Sequence, residues 1–147
     1  MSEQYSSQLL RGSVFIANVA NPAAGADWAD ATPNNMYTEI QSIHFQLVTS
    51  AAVVTRNVIF LIADAGGNQI YRVNAPQTIT AGQTRRYIVS ANHAPNTILY
   101  PTAIQIPIPP GLILGHGFFY GTNCDGPLDA ADQLSDIRAC VLRCAFH

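Results

Sequence analysis

The stretch Glu39 to Thr49 (EIQSIHFQLVT) alternates cleanly, with Ile43, Phe45 and Leu47 on one side and Ser42, His44 and Gln46 on the other. A period of two is the mark of a strand buried on one face only. Downstream, Val53 to Asp64 (VVTRNVIFLIAD) begins mixed and becomes continuously apolar. Such a run reads as a central strand covered on both faces. Ala65-Gly66-Gly67-Asn68 is a turn signal, and Gln69 to Asn74 (QIYRVN) returns, which predicts a hairpin.

The same grammar extends both ways. Ser13 to Val19 (SVFIANV) is a short strand, and Asn21 to Asn35 is a loop carrying the single tryptophan, Trp28. Pro76 to Gln83 holds one short strand and an Ala-Gly turn; Thr84 to Ala91 (TRRYIVSA) alternates again; Thr97 to Tyr100 is another short run. Thr102 to Ile108 places Ile104, Ile106 and Ile108 on one side, and Pro107 makes it an edge or a strand end, because proline cannot donate to a ladder. Leu112 to Thr122 reads as one strand whose three glycines suggest bulges. Asn123 to Gln133 is an acidic loop, and Ser135 to Phe146 closes the chain. Residues 134–144 also fit a helix, with Leu134, Ile137, Val141 and Cys144 at helical spacing; a strand is the expectation because a sheet would supply its pairing partner. Short strands separated by Gly and Pro turns predict an all-β fold, a two-sheet antiparallel β-sandwich that is jelly-roll-like.

Composition narrows the role. Only 11% of the 147 residues are charged, with 7 basic and 9 acidic side chains, and every basic one is arginine. Soluble domains usually carry about 25% charge. Lys and Glu are depleted and Arg favoured where proteins touch, so the surface is expected to be covered by other subunits. Without basic clusters beyond Arg85-Arg86, nucleic acid is not an expected partner. The longest apolar run, Val58 to Ala63, is far short of the ~20 residues that span a bilayer, so no membrane is expected either. The polar start lacks an apolar leader segment, which predicts synthesis in a cytoplasm and reduced cysteines.

No catalytic, cofactor or metal site is expected. Cys140 and Cys144 on a strand would stand about 13 Å apart at ~3.3 Å per residue, too far to share an ion with Cys124 or His147. Asp125, Asp129, Asp132 and Asp136 lack the calcium-loop spacing and read as turn residues. His44, His93 and His116 have no nucleophile partner by motif. Arg56 interrupts an apolar strand and, if buried, needs a carboxylate; Asp64 and Glu39 are the candidates. Trp28 and Tyr37 would serve a sugar groove if the sandwich were a carbohydrate-binding module.

Four segments carry a resemblance: Gly25-Ala26-Asp27-Trp28; Ile43 to Asp64; Ile106 to Leu112 (IPIPPGL); and Ala131 to Ile137 (ADQLSDI). Their order resembles small virion proteins of tailed bacteriophages, of the capsid-associated or decoration type, with Ala131-Asp132 where similar chains have Gly-Asp. The resemblance implies a non-enzymatic virion β-sandwich that binds the major capsid protein and forms a homo-oligomer, a trimer or higher. A head–tail connector, collar or tail component is the alternative within the virion. Residues 1–11 would be an extended arm and 12–147 a single β-sandwich domain. The expected interface residues are Tyr5, Leu9, Leu10 and Arg11 of the arm, with Trp28, Arg72, Arg85 and Arg86.

Overall fold

The computed structural model describes residues 13–91, 102–125 and 127–145. Among these the only regular elements are strands: β1 (Ser13–Val19), β2 (Ala29–Ala31), β3 (Met36–Val48), β4 (Ile59–Ala63), β5 (Gln69–Asn74), β6 (Thr84–Ala91), β7 (Ile104–Ile108), β8 (Ile113–Leu114), β9 (Phe119–Thr122) and β10 (Gln133–Ala145). They form two sheets. The six-stranded sheet runs β1-β10-β3-β6-β7, with β8 also on β3, and the four-stranded sheet runs β2-β9-β4-β5. Every pairing is antiparallel except β6 with β7.

Alternation in the sequence becomes a continuous inner row. Ala17, Ala139, Ile43, Val89 and Ile106 are direct cross-strand partners across five strands of the larger sheet. Except for the half-buried Ala17, all are sealed from solvent. Phe60, Ile62 and Tyr120 face them from the smaller sheet within one core. Trp28 joins the layers: its ring meets Phe45 at 5.7 Å and Tyr120 at 6.1 Å, both edge-on. Each fully buried Ile, Val or Phe side chain here contributes roughly 1.5–3 kcal/mol of transfer free energy.

Several expectations are met residue for residue. β1, β5 and β6 have the expected bounds, the β4–β5 hairpin forms, and β7 with its proline is a sheet edge. In the hairpin turn the Asp64 carboxylate accepts from the amides of Gly66 and Asn68, and Gly67 supplies the left-handed φ of 86°. Residues 134–144 are strand, paired with β3 on one side and β1 on the other.

Others need correction. Trp28 sits just before a short strand, β2, in a stretch that reads as loop. Val53 to Val58 is not strand, and residues 76–83 form only an isolated bridge, Ile79 with Arg56. Leu112 to Thr122 is two strands in different sheets: β8 lies on β3 and β9 on β4. The chain turns between them at Gly117, whose φ of 78° places it in the left-handed region. A side chain there would press on Ala65, so glycine is required both for the turn and for the close approach.

Candidate assembly interface

One end of the sandwich gathers four connections: β1–β2, β3–β4, β5–β6 and β9–β10. They are tied through Arg56 and Asp132, both with fully buried side chains. The Arg56 Nε donates to Asp132 Oδ2 at 2.8 Å and Nη2 to Oδ1 at 3.0 Å. The same carboxylate accepts from the amides of Ser50 and Asp129, and the Asp132 carbonyl accepts from Gly25 N. Thr49 Oγ1 donates to the Thr80 carbonyl and accepts from Gln83 N, Thr49 N donates to Gln83 O, and Gly82 N donates to Ser50 O. Burial pushes the Asp132 carboxyl up, but the bonds from Arg56, Ser50 and Asp129 outweigh it and hold the group below the usual carboxylate range. A guanidinium and a carboxylate can be buried together only when each is saturated with partners, as here.

Asp132, not Asp64 or Glu39, is therefore the partner of Arg56. Asp64 is occupied in its own turn, and 76 residues separate Arg56 from Asp132 in sequence. The residue that reads as a turn former is the anchor of the loop end.

The clamp also shapes the tip of the β3–β4 connection. Arg56 Nη1 donates to the carbonyls of Ala52 at 3.1 Å and Val54 at 2.6 Å. Val54 N donates to Ala52 O, closing a three-residue turn around Val53. Val53 is 95% exposed and Val54 is 44% exposed. No charge lies between Ala51 and Thr55. An apolar side chain is thus held outward on a backbone fixed from within, so binding through it would pay little ordering entropy.

The outer face of the larger sheet carries a polar cluster. Asp136 has a φ of 52°, in a register shift between Ser135 and Arg138 that turns its carboxylate outward. It accepts from Arg86 Nη1 at 3.2 Å and Arg138 Nη2 at 2.9 Å. Arg86 Nη1 also lies 3.2 Å from His44 Nε2. Burial, and then the Arg86 charge, hold His44 below its ordinary value, which keeps the ring neutral and able to accept that bond. Half-exposed pairs like these contribute about 0–1 kcal/mol each. On the outside of the smaller sheet is a shallow groove of about 300 Å³ floored by Leu61, Ala63 and Gly121.

The residues singled out in the sequence are scattered. Trp28 is 2% exposed and belongs to the core, so it is neither a surface contact nor a platform for a sugar ring. Arg86 lies in the outer cluster with Asp136. Arg72 lies 3.6 Å from Asp125 with both side chains largely in solvent, and Arg85 is half-buried at the start of β6. Tyr37 is 42% exposed on β3. Cys124 is buried, and Cys140 and Cys144 are half-buried, all three as free thiols. Tyr5, Leu9, Leu10 and Arg11, with His93, His147 and the run 97–100, lie outside the described residues. The exposed tip at Val53 does not show in the sequence, because a Val-Val-Thr run preceding an apolar strand reads as part of that strand. The sequence signal for it is Arg56, a charge that interrupts the apolar run three residues on.

No family model, no curated protein and no solved structure matches this chain.

Proposed function

We propose that this chain is a non-enzymatic structural protein of a bacteriophage virion, a capsid decoration or head-associated subunit that binds the major capsid protein and like copies. The loop end carries the reading: a saturated, buried ion pair fixes four connections and presents an uncharged apolar tip at Val53. Such a device suits docking to a protein surface and offers no chemistry of its own.

The strand order supports it. The orders β1-β10-β3-β6 and β2-β9-β4-β5 are those expected of eight strands rolled up as two Greek keys into a jelly roll. Viral shells and lectins share that architecture, and architecture alone does not choose between them. Burial of Trp28 takes one of the two aromatic residues of the carbohydrate reading out of any surface groove and leaves Tyr37 as the exposed one. The composition, 11% charged and without lysine, favours a surface covered by protein.

Quantitative mass spectrometry and electron microscopy of purified particles test the proposal. Many copies per particle, with density on the shell, are expected. A few copies at one vertex would move the protein to the connector or tail, and absence from the particle would sink the virion reading.

A further inference from the structure

We infer that the outer edge of β1 is a self-association site, at which a second copy of this chain adds its own β1 antiparallel about a twofold axis. The inference stands on strand pairing and holds whether or not the virion reading does; within that reading it names a surface for the contact between like subunits.

Sheet edges expose unpaired amides and carbonyls, and natural proteins blunt them with charge, proline, bulges or shortness. Among the described residues, β8 being only two residues long, the outermost strands of the two sheets give four edges, and three of them are blunted. β7 has Pro107 in its middle, β2 is three residues long with Asp30 at its centre, and β5 carries Arg72 and a register shift against β4 at Ile62 and Ala63. The fourth, β1, has none of these. It runs seven residues without charge or proline, and its pairing with β10 is unbroken from Ser13 opposite Arg143 to Val19 opposite Ile137. Among the described residues, no strand pairs with its other side.

The occupant follows from the charge pattern. A charged residue at the centre of an edge strand would face its own copy across the twofold, which is destabilising. β1 carries none. A register centred on the middle of the strand sets Ile16 against Ile16, Ala17 against position 15, and Asn18 against Val14. Ile16 is 65% exposed on the outer face, so the axis would bring two unburied β-branched side chains together. Such cross-strand apolar pairs are among the favourable ones. The contact is isologous and closes on itself, which gives a dimer and not an open fibre.

Sedimentation velocity on the full chain, with the variants Ile16→Lys and Ile16→Glu, tests it. The wild type is expected to dimerise with rising concentration. Each variant alone should have half the wild-type mass at the same concentration, with an unchanged circular dichroism spectrum. A mixture of the two should recover the wild-type mass, because unlike charges now meet on the axis. Hydrogen exchange on the wild type gives a second readout independent of substitution, with protection of the Ser13–Val19 amides rising with concentration. A wild type that stays monomeric, variants of undiminished mass, or concentration-independent exchange in β1 would each overturn the inference.

Discussion

Arg56 and Asp132 face each other as a bidentate pair with neither side chain reachable by solvent, at 2.8 Å and 3.0 Å. Removing one partner strands the other charge in the interior. Asp132→Ala is expected to cost about 3–5 kcal/mol, as broken buried pairs do. The double variant Arg56→Met with Asp132→Leu should cost clearly less, since no charge is left behind. Urea unfolding of the three proteins checks the order; equal losses would show that the pair is not the central contact of the loop end.

The same pair sets the response to acid. The folded Asp132 titrates below its unfolded value, so its contribution is complete above that value and is lost as pH falls through the folded one. The unfolded value is about 3.9, so this loss belongs below about pH 4. His44 acts earlier in the same direction. Its folded value lies below the ordinary 6.5, so the unfolded chain takes up the proton first and stability begins to fall beneath that pH. His44→Gln should flatten the first decline and leave the second. Unfolding midpoints measured from neutral to acid pH would show two declines in the wild type and one in the variant.

Val53→Asp should leave stability within about 0.5 kcal/mol of the wild type, because an exposed side chain away from a cap or pair costs little. If the tip docks on a shell as proposed, the same substitution should abolish attachment, since it would place a charge in an apolar contact. Co-sedimentation with particles lacking the protein is the measurement. Undiminished attachment would remove the tip from the interface.

Gly121 lies between β2 and β4, and a methyl group there would overlap the Trp28 carbonyl oxygen. Backbone cannot yield as a side chain does. Gly121→Ala is expected to cost at least the ~1–3 kcal/mol of an overpacked core, and to shift β2 with Trp28. Trp28 emission, expected to be blue-shifted in the buried wild type, should move to the red before global unfolding. Unaltered emission and an unaltered midpoint would show that β2 accommodates the methyl.

By itself the sequence determined the all-β class, the bounds of β1, β5 and β6, the β4–β5 hairpin and the edge position of β7. These depend on alternation, turn residues and proline, which act within a few residues of one another. Tertiary structure decided what distance along the chain conceals. Asp132 reads as a turn residue because nothing local reveals that Arg56 returns to meet it. Trp28 reads as an exposed aromatic in a loop until Phe45 and Tyr120 arrive from different sheets to enclose it. Leu112 to Thr122 reads as one strand until its halves find separate sheets, since pairing partners and not propensity assign a short apolar segment to a layer. The paucity of charge was visible from the start, but only the strand order showed which edge it leaves without defence.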